Sequence, residues 1–165
     1  MAGDEFEQFF LANHDAVLRI LTLTTGDRER AVDATQEAFI KAHENWATIR
    51  SHEAPTAWVR RTAINLCNDS YRSERRRQSR ERRHLDDATP SPADGVVGEA
   101  FARALLEQLP LRQREVTALF YVDDRSVSEI ASILGVNEGT VKSNLAAARE
   151  RLRTVLARED DIPRE

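Results

Sequence analysis

Trp58, Thr62, Asn65, Asp69 and Arg72 are the residue types that binding to single-stranded nucleic acid requires. In a helix of 3.6 residues per turn they would share an arc of about 80°. That stripe combines an aromatic face for stacking, amide and hydroxyl edges for hydrogen bonds, and a cation for phosphate. Val59, Ala63, Ile64, Leu66, Cys67 and Tyr71 fall on the other side, which places Trp58 with the polar residues. Over residues 60–84 nine arginines face three carboxylates, a net charge of +6. Such a block supplies the salt-sensitive part of nucleic-acid affinity. The competing reading packs Trp58 between helices, pairs Asp69 with Arg72 at the surface, and leaves Arg75-Arg76-Arg77 as a solvated helix end.

A second constellation lies at residues 127–156. Ser128 is positioned to cap a helix whose Ile130, Ile133 and Leu134 face inward, and Ala131 is small where a second helix must cross. Gly135 suits a left-handed turn, Val136 plugs the corner, and Asn137 caps a following helix with Val141 and Leu145 inward. This spacing is that of a helix-turn-helix, whose second helix enters the major groove. Thr140, Lys142, Ser143 and Asn144 lie at the start of that helix, suited to phosphate and base-edge contacts. Arg149, Arg151 and Arg153 follow, placed to touch the DNA backbone or to solvate the helix. A plain helical hairpin is the alternative.

Catalytic chemistry finds no comparable set. There is no Gly-x-Ser-x-Gly, Walker loop or Gly-x-Gly-x-x-Gly. His14, His43, His52 and His84 are scattered, and the lone Glu81-x-x-His84 lacks the second pair that a di-iron bundle needs. A single cysteine, Cys67, excludes a disulfide framework and a cysteine-rich zinc site, and it fits a reducing compartment. No enzyme activity, metal or cofactor is expected.

The elements that must hold these residues read as helices throughout. Phe6, Phe9, Phe10, Val17, Leu18 and Leu21 recur at helical spacing up to Gly26. Asp27 caps the next helix, which shows Ala31, Ala34, Ala38, Phe39 and Ala42 on one side and runs to about Trp46. Pro55 opens a third helix that continues into the arginine block. Residues 85–98, with two prolines, two glycines and three aspartates, read as a flexible acidic linker. Helical pattern resumes at Phe101, Ala104, Leu105 and Leu109, and Pro110 interrupts it. The predicted fold is all-α: two small helical domains, residues 1–84 and 99–158, with a tail at 159–165. At 165 residues with 6% aromatics the chain has modest cores, and its overall charge of −4 conceals the basic block between acidic neighbours. The acidic start has no secretory signal and no apolar run is long enough for a membrane span, so a cytoplasmic protein without membrane insertion is expected.

Both halves together resemble the extracytoplasmic-function group of bacterial RNA polymerase sigma factors. The first half is similar to sigma region 2 through Phe6-Glu-Gln-Phe-Phe, Thr25-Gly-Asp-Arg-Glu-Arg-Ala, Asp33-Ala-Thr-Gln-Glu-Ala-Phe39 and Ala57-Trp-Val-Arg-Arg-Thr-Ala-Ile-Asn-Leu-Cys-Asn-Asp-Ser-Tyr-Arg72. The second resembles region 4 through Leu109-Pro-Leu-Arg-Gln-Arg-Glu-Val and the helix-turn-helix. The resemblance implies a promoter-specific initiation factor that binds core RNA polymerase at the β′ clamp and β flap and opens promoter DNA. It assigns Asp33, Gln36, Glu37 and Phe39 to core polymerase. It assigns Trp58, Arg61, Thr62, Asn65, Asp69, Arg72, Arg75 and Arg76 to the −10 element, and Thr140, Lys142, Ser143, Asn144 and Arg149 to the −35 element. An anti-sigma factor is a further implied partner. Asn144 and Ala147 depart from the basic residues of many relatives, as do His43 and Asn45 from aromatic or basic ones. An operator-binding regulator is the runner-up, but it has no use for an arginine-rich stripe carrying Trp58. A protein that only sequesters a partner is the third class.

Overall fold

The computed structural model describes residues 2–81 and 97–160 and divides the chain into two compact helical units. The first unit contains α1 (Ala2–Thr25), α2 (Arg28–Glu44), α3 (Trp46–Ile49) and α4 (Pro55–Glu81). The second contains α5 (Val97–Glu107), α6 (Leu111–Tyr121), α7 (Val127–Leu134) and α8 (Glu138–Asp160). The all-α expectation is met. Most of the expected linker lies outside the described residues, but Val97 and Gly98, which the composition placed in it, belong to α5.

In the first unit, α2 packs against both α1 and α4. Its buried side is mostly alanine, with Ala31, Ala34, Ala38 and Ala42 inaccessible or nearly so, which lets the three helix backbones approach closely. Val17, Ile20 and Leu21 of α1 and Val59, Ala63, Ile64 and Cys67 of α4 complete the core. The α1–α2 corner follows the local rules. Gly26 takes a left-handed φ of 69°. Asp27 then caps α2 by accepting from the Arg30 backbone N–H at 3.0 Å.

Two features differ from expectation. Helix α2 stops at Glu44, and a single turn, α3, turns Trp46 into an aromatic cluster. There its ring lies 5.3 Å from Phe6 and 4.9 Å from Phe9 between centroids, and an uninterrupted helix would not have delivered it there. The other is Arg60, one of the nine arginines of the basic block, which is buried. Its guanidinium donates to Asn13 Oδ1 at 3.0 Å, while Asn13 Nδ2 donates to the Phe9 carbonyl at 2.9 Å. Arg60 therefore fastens α4 to α1 and is not available to a phosphate.

The second unit buries Leu106 and Leu109 together with Val116, Leu119, Ile130, Ile133, Val141 and Leu145. Leu106, not Ala104 or Leu105, is the inward residue of α5, and Phe101 is exposed. Gly135 adopts φ 65°, ψ 38°, and Asn137 Oδ1 accepts from the Thr140 backbone N–H at 2.7 Å, as the turn pattern required. Leu134 is only half-buried.

The cap of α7 is Ser126, two residues before the expected Ser128, because Ser126 and Glu129 form a reciprocal capping box. Ser126 Oγ accepts from the Glu129 N–H at 3.2 Å, and Glu129 Oε2 accepts from the Ser126 N–H at 2.8 Å. The Ser126 backbone N–H is the main cause holding the Glu129 carboxyl below its ordinary value, with Arg125 adding to it and burial opposing. A depressed folded value contributes stability that is present above the unfolded value and lost as pH falls through the folded one. Ser126→Ala is expected to cost about 1 kcal/mol. Acidification below about pH 4 should weaken the same cap, and Glu129→Gln should remove that part of the acid sensitivity. Denaturant melts followed by far-UV circular dichroism from neutral to acid pH measure both effects, and an unchanged acid response in Glu129→Gln would contradict the assignment.

Candidate nucleic-acid interface

On α2, Asp33, Gln36 and Glu37 are exposed along one face. Glu37 is ion-paired with Lys41 at 3.1 Å, one turn on. Phe39 does not belong to that face. It is 3% exposed and packs its ring 5.0 Å from Phe10 and 5.8 Å from His14, so it supports the face from beneath. Ile40, at 53% exposure, is the apolar side chain that continues the row Asp33, Gln36, Glu37 at helical spacing. Adjacent apolar residues in a helix are 100° apart, and only the position of α1 decides which of the two is covered.

The α4 stripe is present but not uniform. Asn65, Asp69 and Arg72 are exposed, and Thr62 is half-buried. Trp58 is half-buried and packs against the cluster of Ala42, Trp46 and Ile49, so part of its ring is engaged inside the unit. Asp69 and Arg72 lie 3.6 Å apart, both well exposed, a geometry whose net strength in water is small. Arg77 is paired with Glu74 at 3.3 Å. By contrast Arg61, Arg75 and Arg76 are exposed and have no carboxylate within ion-pair distance among the described residues. Arg76 does donate from Nε to the Arg72 carbonyl at 3.3 Å. The positive field of α4 thus comes from fewer guanidiniums than the sequence count, all on its solvent side.

On α8, Lys142 and Ser143 are exposed, while Thr140 and Asn144 are half-buried. The polar side-chain atoms of Thr140, Ser143 and Asn144 are already held locally. Thr140 Oγ1 donates to Asn137 at 3.0 Å, Ser143 Oγ to the Thr140 carbonyl at 3.1 Å, and Asn144 Nδ2 to the same carbonyl at 2.8 Å. Contact with a base edge would exchange these bonds rather than create bonds from nothing. Arg149, two turns beyond Lys142 on the same flank, is tethered to α6. Its Nε donates to the Tyr121 hydroxyl at 2.7 Å, and its guanidinium stands 5.7 and 5.8 Å from the Phe120 and Tyr121 ring centroids. Tyr121, unmarked by any sequence pattern, is therefore a component of this surface.

No group of histidine, cysteine, aspartate or glutamate side chains among the described residues could hold a metal ion. Cys67 is buried. No helix among those residues is long and apolar enough to cross a membrane.

Comparisons with known proteins identify the family. Residues 9–77 match the family described as Sigma-70 region 2, and residues 102–152 match Sigma-70, region 4. The chain is 35% identical over 161 residues to the ECF RNA polymerase sigma factor SigM of Mycobacterium tuberculosis, covering 94% of this chain and 80% of that one. It is 32% identical to the RNA polymerase sigma-E factor of Streptomyces coelicolor, with 94% and 88% covered. Among solved structures, the sigma factor RpoE of Bartonella quintana, in complex with the anti-sigma factor NepR, shares the fold with a TM-score of 0.72 at 24% identity, over 93% of this chain and 97% of that one. CnrH, in complex with the cytosolic domain of CnrY, does so with a TM-score of 0.67 at 21% identity, over 95% and 89%. The chain belongs to the extracytoplasmic-function sigma factors of the sigma-70 family, a family of transcription initiation factors.

Proposed function

We propose that this protein binds core RNA polymerase through the Asp33, Gln36, Glu37 and Ile40 face of α2 and directs the polymerase to open promoters. In this reading α4 holds the −10 element as a melted strand, and α8 reads the −35 element as duplex. The observation that carries it is the exposed Asn65 amide set among the unneutralised guanidiniums Arg61, Arg75 and Arg76 on one helix, in a chain that also contains a complete helix-turn-helix. An amide reads a base edge, cations hold the flanking phosphates, and extrusion of a base costs a few kcal/mol, least where stacking is weak. Sequence choice and melting are then coupled. Linking two readers through one chain raises the effective concentration of the second once the first has bound. The anti-sigma partner of the Bartonella factor supports the same kind of partner here, and the protein would act where polymerase and promoter DNA are, in the cytoplasm.

Run-off transcription with core polymerase and a cognate promoter tests the proposal. The expected result is a discrete transcript that core alone does not produce. Failure of the supplemented core to initiate at any site that core alone does not use would refute it.

A further inference from the structure

Tyr71 was expected on the apolar side of α4, yet it is 42% exposed and two guanidiniums converge on its ring. Arg75, one turn along α4, stands 5.7 Å from the ring centroid. Arg30, from the first turn of α2, stands 5.4 Å from it. Each contact is a favourable cation–π geometry. Two like charges on one ring nevertheless repel each other, and the local acidic neutralisation is thin. Asp27 lies 3.5 Å from Arg30, but its other carboxylate oxygen serves as the α2 cap. Arg75 has no carboxylate within ion-pair distance among the described residues, and the Tyr71 hydroxyl has no hydrogen bond there. Three donors are thus gathered at one point by two helices: Tyr71 and Arg75 are exposed, and Arg30 keeps 18% of its side chain exposed beside Asp27.

We propose that Arg30, Tyr71 and Arg75 form a binding site for a nucleic-acid backbone phosphate, with the ring setting the two guanidiniums and its hydroxyl as a third donor. Planar guanidiniums suit a tetrahedral anion, because their N–H groups make paired, charge-assisted bonds to it. An arriving phosphate also removes the repulsion between the two cations, so binding is favoured by the charge that the protein itself leaves unbalanced. Arg75 lies one turn beyond Arg72, so the site would extend the α4 stripe along one flank and guide the strand whose bases face Asn65. It gives α2 a nucleic-acid contact at Arg30 in addition to its polymerase face. This inference rests on the nucleic-acid reading of α4.

The test is binding of the full chain to a fluorescein-labelled single-stranded oligonucleotide, followed by anisotropy over a range of salt concentrations. Each phosphate contact removed should lower the slope of log K against log salt by about 0.7 for a single strand. Arg30→Gln and Arg75→Gln are each expected to show that loss. Arg50→Gln, an exposed arginine paired with Glu5 at 2.9 Å, should not. Tyr71→Phe should retain the slope with a small loss of affinity, whereas Tyr71→Leu should reduce the slope by releasing both arginines. If Arg30→Gln shifts the denaturation midpoint, Tyr71→Leu decides, because Tyr71 is 42% exposed and a slope loss there is not expected from the arginines of α4 alone. Slopes for Arg30→Gln and Tyr71→Leu equal to that of Arg50→Gln overturn the site while leaving intact the sigma reading, which run-off transcription tests separately. Absence of any binding by the unmodified chain at low salt overturns the site outright.

Discussion

Asn65→Ala is expected to slow open-complex formation at a cognate promoter by tenfold to a hundredfold while leaving core-polymerase affinity and thermal stability unchanged. A well-placed bond to a base edge is worth about 1–3 kcal/mol, and each 1.4 kcal/mol is tenfold. Asn65 is exposed, so its truncation leaves no unsatisfied group inside the protein. Trp58→Ala behaves differently, because Trp58 packs against Ala42, Trp46 and Ile49. Complete truncation of a buried tryptophan costs about 3–5 kcal/mol, and a half-buried one about half of that. Trp58→Ala should therefore lower the denaturation midpoint and weaken polymerase binding and promoter opening together, since α2 and the cluster share residues. Trp58→Phe keeps an aromatic body in the site and should recover stability first. Permanganate footprinting of the promoter bubble, polymerase pull-down and thermal melts on the same variants separate these effects. Loss of core binding in Asn65→Ala, or an unchanged melting temperature in Trp58→Ala, would reverse the two roles.

The difference between these residues marks what the sequence could convey. Gly26, Asp27, Gly135 and Asn137 were legible because a left-handed turn and a cap are satisfied within four or five residues. The long helices of the first unit were legible from their periodicity, whereas the single turn α3 was not. Which of Phe39 and Ile40 faces solvent depends on where α1 lies, and periodicity cannot say. Ser126 prevailed over Ser128 because Glu129 stands three residues after Ser126, a capping-box signal that was present in the sequence and missed. Arg60 was counted as a surface cation because eight more arginines follow it in the same basic block. Only its bond to Asn13, 47 positions away, reveals the structural role. Tyr71 and Tyr121 were overlooked because tertiary contacts, Arg30 from α2 and Arg149 from α8, give each of them its significance. Charge by segment singled out α4, and the folded structure shows which of its arginines have no carboxylate within ion-pair distance among the described residues.

Ile130→Ala should weaken −35 recognition by destabilising the second unit, and should do so without disturbing the first. Ile130 is fully inaccessible, and removing its side chain from so small a core costs about 2–5 kcal/mol. A unit of roughly 65 residues has only about 3–10 kcal/mol of stability available, so this single truncation consumes a large share. The helix-turn-helix geometry depends on that core, because Ile130 and Ile133 of α7 and Val141 and Leu145 of α8 are buried in it. The protein carries its own reporter for the distinction. Its two tryptophans, Trp46 and Trp58, both lie in the first unit, so tryptophan fluorescence follows that unit alone, whereas far-UV circular dichroism follows both. In guanidinium the Ile130→Ala chain should lose part of its ellipticity at lower denaturant, with the fluorescence midpoint unmoved. Ile130→Val should show a smaller shift of the same kind, about 0.5–1.5 kcal/mol. A fluorescence midpoint that moves with the ellipticity would mean that the two units unfold as one. In the proposed reading duplex −35 binding belongs to the second unit and single-strand binding to the first, so only the former should weaken.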